Sequence, residues 1–178
     1  MYKRQAYIQE LIKDEIIASK LLWFPNTSLY QIWDQYHYIE YNNNKKSQRE
    51  YTIEATINTP YLEKVIEEAR AGKTKNKLAE LLVEKTISKK DALDFIEQLC
   101  NNQILVSSLE PNLTGRDFLS ETIINLDSIS CTLEQTAILK KIQGTLKNID
   151  NKVGNPIKHY FNLHTFLCLL YTSPSPRD

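Results

Sequence analysis

The chain holds residues able to do acid–base, nucleophilic or metal chemistry, but not at spacings that such chemistry uses. His37, His159 and His164 stand apart from one another, and each reads as a structural or solvated imidazole. Cys100, Cys131 and Cys168 share no metal-ligand spacing. They fit reduced thiols, buried or incidental, in a cytoplasmic protein better than a disulfide framework. No residue is identified as catalytic, and no metal or cofactor is expected. The pattern that stands out belongs to the backbone. From Arg49 to Ile57 the residues alternate, with Tyr51, Ile53, Ala55 and Ile57 on one face and Thr52, Glu54 and Thr56 on the other. This is the clearest strand in the chain.

The elements around that strand follow from spacing and punctuation. Ile8, Leu11, Ile12, Ile16, Leu21 and Leu22 predict one helix over residues 5–22, stopped by Pro25. Residues 29–41, rich in Tyr, Trp and Ile, predict a strand, and the polar run 42–48 a loop to the next strand. Thr59 and Pro60 open a helix that Gly72 ends. A second helix is predicted over 75–84, with Leu78, Leu81, Leu82 and Val83 inward. Ser88 and Asp91 form a capping box for a third, closed by Asn101 and Asn102. Ile104 to Ser108 can return as an extra strand. Two strands, three helices and a closing strand make a winged helix-turn-helix pattern, and the fold class is α+β. Thr114 with Asp117, and Thr132 with Gln135, are expected to cap two more helices. Gly144 inside the last of these costs up to ~1 kcal/mol relative to alanine.

Bulk properties bound the function. With 178 residues, 42% hydrophobic and 25% charged, the chain has the composition of a soluble globular protein. Acidic and basic residues balance at 22 each, so no long-range field gathers nucleic acid or anionic lipid. The amino terminus lacks the unbroken apolar core of a signal peptide, and no run approaches the ~20 apolar residues of a membrane span. After His164 the composition changes, and Tyr171 to Asp178 resembles the translation of a sequencing-library adapter; the other reading is a Pro/Ser-rich disordered tail. No function is assigned from about Leu167 onward, and the parent protein is expected to continue further.

Three passages carry a family resemblance. They are Phe24-Pro-Asn-Thr-Ser-Leu-Tyr30 with Tyr38-Ile-Glu-Tyr41, the strand and helix pair leading to Lys77-Leu-Ala-Glu-Leu-Leu82, and Ile104-Leu-Val-Ser-Ser-Leu-Glu-Pro-Asn-Leu-Thr-Gly115. In order and spacing they resemble the amino-terminal part of lantibiotic and thiopeptide dehydratases over residues 7–164. Those enzymes dehydrate serine and threonine of ribosomal peptides after glutamylation from charged tRNA. The family usually has arginine where His37 stands, so that arginine's substrate contact does not carry over.

The resemblance implies a division into residues 1–27, a helix of the parent glutamylation domain; 28–109, a winged-helix module that binds leader peptides; 110–166, a helical return; and 167–178, the tail. It implies that the peptide docks as an added strand on the edge formed by Arg49, Tyr51, Ile53, Ala55 and Ile57. The third helix would supply a groove wall through Ala92, Phe95, Ile96 and Leu99. The plainer reading makes these helix residues core. Glutamyl-tRNA enters as co-substrate of the full-length enzyme, and Arg70, Lys73, Lys75 and Lys77 could touch tRNA phosphate or form a solvated helix end. Catalytic residues are expected outside this chain. The enzyme-class alternative places glutamylation residues inside it, at Arg49 or Arg116. A DNA-binding winged helix is the rival from another class, but Lys89 and Lys90 are outnumbered by Asp91, Asp94 and Glu97.

Overall fold

Short runs of aromatic and β-branched residues between 23 and 57, together with residues 105–107, build two small antiparallel sheets. The computed structural model describes residues 8, 11–43, 49–110, 117–151 and 154–172. It divides into two units, one of residues 14–110 and one of residues 1–13 with 111–178.

In the first unit, strands β1 (Trp23–Pro25) and β5 (Leu105–Ser107) pair with each other, and β2 (Tyr30–Ile32), β3 (Gln35–Asn43) and β4 (Arg49–Ile57) form a sheet in that order. The closing strand predicted at 104–108 is therefore present, but it joins β1, a strand too short for its periodicity to show. The single strand predicted over 29–41 is instead a hairpin. Ile32 faces Gln35 across the two-residue turn Trp33–Asp34, with Trp33 at φ 56° and almost wholly exposed. Tryptophan is not a turn-forming residue, so nothing local announces the break.

Helices α1 (Glu15–Lys20), α2 (Pro60–Ala69), α3 (Lys75–Glu80) and α4 (Lys89–Asn101) complete the unit. The helix predicted over 5–22 is broken at Asp14, whose carboxylate accepts from the Ile16 and Ile17 amides and starts α1 afresh. Pro25 lies in β1 and does not stop it. Thr59 caps α2 as predicted, with Pro60 next to it. Ser88 Oγ accepts from the Asp91 amide and donates to its carboxylate at 2.7 Å, a variant of the expected box. Helix α3 ends at Glu80, and Val83 is exposed, not inward. Leu62, Val65, Ile66, Ala69, Leu78 and Ile96 bury their side chains almost completely. Each large one contributes ~1.5–3 kcal/mol on burial.

The second unit is helical where described: α5 (Phe118–Asp127), α6 (Leu133–Asp150) and α7 (Ile157–Thr172), with a 3-10 turn over Ser130–Thr132. Asp117, not Thr114, caps α5, accepting from the Ser120 amide at 3.0 Å; Thr114 lies outside the described residues. Nor does Thr132 cap α6. Its hydroxyl is committed to the Leu126 and Ile129 carbonyls inside the 3-10 turn, at 2.6 and 2.8 Å. Residues 173–178 of the tail, and residues 111–116, lie outside the described residues.

Candidate functional site

Strand β4 is an edge strand, and hydrogen bonds elsewhere in its sheet fix which of its groups face outward. In an antiparallel pair, opposite residues alternate between those that exchange backbone hydrogen bonds and those that turn away from each other. On β3, the Ile39 amide donates to Ser28 Oγ and its carbonyl accepts from Asn26 Nδ2. Gln103 Oε1 and Nε2 likewise bind the amide and carbonyl of Tyr41. Ile39 and Tyr41 therefore turn their backbones away from β4. Their register partners Ile53 and Tyr51 must do the same on the far side. At the other end, the Asn58 amide donates to the Asp34 carbonyl at 2.7 Å, which sets the same phase. Arg49, Tyr51, Ile53, Ala55 and Ile57 thus point their N–H and C=O groups at the open margin, while Glu50, Thr52, Glu54 and Thr56 hold the ladder to β3. Among the described residues, no strand lies beyond β4.

The side chains on this margin are also open. Tyr51, Ile53 and Ile57 are 61, 69 and 64% exposed, and Ala55 is exposed. Arg49 differs. Its guanidinium lies 3.8 Å from the centre of the Tyr41 ring and 3.0 Å from Glu110 Oε1, to which the Tyr41 hydroxyl also donates. Arg49 thereby pins the start of β4 to the chain following β5. This fixes where the open margin begins.

The helix residues proposed as a groove wall separate from the strand residues. Ala92, Ile96 and Leu99 are buried on the inner face of α4, and Phe95 is half-buried. Their burial favours the plainer reading for those three. His37 stacks on Tyr30, with ring centroids 5.5 Å apart. The basic stretch is partly neutralised: Lys73 is bonded to Glu68, and Lys75 lies 3.6 Å from Glu97 and over the Trp23 ring. Burial pushes the Cys100 thiol up to about 12, so it stays protonated and unreactive. Arg116 lies outside the described residues.

Sequence reasoning missed Asn26, Ser28 and Gln103, the side chains that close the other margin of β3. A signal was there for Asn26, which follows Pro25 in a turn-forming run. Gln103 carried none; it reaches β3 from a left-handed backbone at φ 56° after α4.

Comparison with known proteins adds two findings. Residues 5–166 match the family described as lantibiotic dehydratase, N terminus. Among solved structures, the chain is similar to the tRNA dependent lantibiotic dehydratase MibB from Microbispora sp. 107891, with a TM-score of 0.66 and 13% identity. That match covers 98% of this chain and 18% of MibB, so the chain spans about a fifth of that protein's length. No curated protein matches.

Proposed function

The chain belongs to the lantibiotic dehydratase N-terminal family, and from that membership we propose that it holds the ribosomal precursor peptide for a larger dehydratase, as an extra strand on β4. The observation that carries this reading is the open margin at Tyr51, Ile53, Ala55 and Ile57, whose outward amides and carbonyls have no strand opposite them among the described residues. Backbone pairing supplies affinity, and side chains of the guest supply selectivity. The three-stranded sheet followed by α2, α3 and α4 is read as a winged-helix recognition module. Ala92, Ile96 and Leu99 act through the core they hold, with Phe95 the more accessible member of the set.

In the full-length enzyme, the peptide's serine and threonine hydroxyls are glutamylated from glutamyl-tRNA and then eliminated to dehydro amino acids. The pool of charged tRNA sets the compartment as the cytoplasm. No helix among the described residues is long and apolar enough to cross a membrane. This segment alone is read as inactive in that chemistry, with the catalytic residues elsewhere in the full-length enzyme and Arg49 serving as a structural pin between Tyr41 and Glu110. DNA binding is disfavoured by charge: Lys89 and Lys75 each lie near a carboxylate, Glu80 at 4.0 Å and Glu97 at 3.6 Å.

The test is Ala55→Pro. Proline removes one outward N–H and leaves the ladder to β3 intact, which an edge strand tolerates. Binding of fluorescently labelled lantibiotic leader peptides should fall about tenfold or more with the circular dichroism unchanged. Undiminished binding by that variant rejects the strand-addition reading, and a duplex DNA that binds in place of the peptide favours the rival.

A further inference from the structure

The two faces flanking the β4 margin differ in chemistry. One carries Tyr51, Ile53 and Ile57, and the register continues it across the sheet through Ile39 and Ile32, 43 and 46% exposed. The other carries Glu50, Thr52 and Glu54. Glu54 is exposed and, among the described residues, has no ion-pair partner within 4.0 Å. It faces Tyr38 in the register, and Tyr38 feels it: burial first, then Glu40 and Glu54, push the phenol above its ordinary value. Farther along the same face, Tyr36 is raised by burial and by Glu63 of α2, partly offset by Arg70. That face is acidic next to the margin, although the chain as a whole is neutral.

A strand added to β4 sends successive side chains alternately over these two faces. We infer that the margin selects an amphipathic guest strand, with apolar residues at every second position over Tyr51, Ile53 and Ile57 and basic residues between them, facing Glu54. This rests on the strand-addition reading and names the class of peptide it takes. The apolar positions are buried against side chains that otherwise stand in water, and the basic positions meet a carboxylate that has no counter-ion of its own. The Glu54 carboxylate repels an acidic strand, an anionic lipid surface or nucleic acid.

The experiment uses the full 178-residue chain and three labelled model peptides: one alternating valine with lysine, one alternating valine with glutamate, and one with the valine–lysine composition rearranged into blocks. Fluorescence anisotropy reads binding to the native chain, to Glu54→Lys and to Glu134→Lys, a matched charge change in the other unit. The native chain should prefer the alternating lysine peptide over the glutamate peptide by about tenfold, the size of one charge contact in a half-shielded site. Glu54→Lys should abolish or reverse that preference, and Glu134→Lys should leave it unchanged. Equal binding of both alternating peptides overturns the inference and leaves strand addition standing, since the backbone would then be read without charge. A preference lost equally in Glu134→Lys overturns it too, by assigning the effect to net charge. Equal binding of the block peptide removes the alternation, and binding of none of the three overturns the inference together with the reading beneath it.

Discussion

Strands β1 and β4 belong to the same unit, yet among the described residues one is closed on both sides and the other on one. The β1 strand pairs with β5, and Trp23 exchanges backbone hydrogen bonds with Lys73 on its far side, at 2.9 and 3.3 Å. Its indole is buried and donates to the Ala18 carbonyl. Among the described residues strand β4 pairs with β3 alone, and most of its side chains stand in solvent. A backbone ladder closed on both sides is a structural hold, whereas one left open is a template. The difference lies in the neighbours: β1 sits between β5 and Lys73, whereas β4 meets β3.

Mutations on the two sides should therefore separate stability from binding. Ile96→Ala, in the closed core, should cost ~2–5 kcal/mol, read as a lower urea midpoint. Alkylation divides the same way. At pH 8, Cys100 should react with iodoacetamide roughly a thousandfold more slowly than an ordinary thiol, because its thiolate fraction falls with the upward shift, while Cys131 is exposed to the reagent and should label first. Fast labelling of both in native protein would break the contrast.

Gly72→Ala should cost ~1–2 kcal/mol. Its φ is +74°, and an added Cβ would lie 2.6 Å from the Phe24 ring of β1. Arg49→Ala, which unpins the start of β4, should cost about 1 kcal/mol, since the guanidinium is partly shielded against Tyr41 and Glu110. Smallest is Ile53→Ser, on the open strand, with a change in unfolding free energy within ~0.5 kcal/mol. A larger loss there would mean that the face is packed.

Legibility followed the range of the physics. Thr59 and Ser88 accept from amides three residues away, and Pro60 acts through its own fixed φ, so α2 and α4 were readable with their starts. The alternation of 49–57 was readable too, because each face of β4 has one kind of residue. The β1–β5 pairing joins residues some eighty apart through three-residue strands, and no local period encodes it. Asp14 and Trp33 broke elements whose apolar spacing ran straight through them. In one case a carboxylate caught two amides; in the other a tryptophan took a backbone conformation that its type disfavours. Ala92, Ile96 and Leu99 show the limit for the site itself, since an apolar helix stripe has the same spacing whether it lines a groove or fills a core.

Hydrogen exchange on β4, resolved by residue, tests the phase of the margin. Without peptide, the amides of Tyr51, Ile53, Ala55 and Ile57 should exchange quickly and those of Thr52, Glu54 and Thr56 slowly; a bound leader peptide should slow the first set and leave the second unchanged. Slow exchange at all of these amides before any peptide is added would contradict the account, because the margin would already be paired.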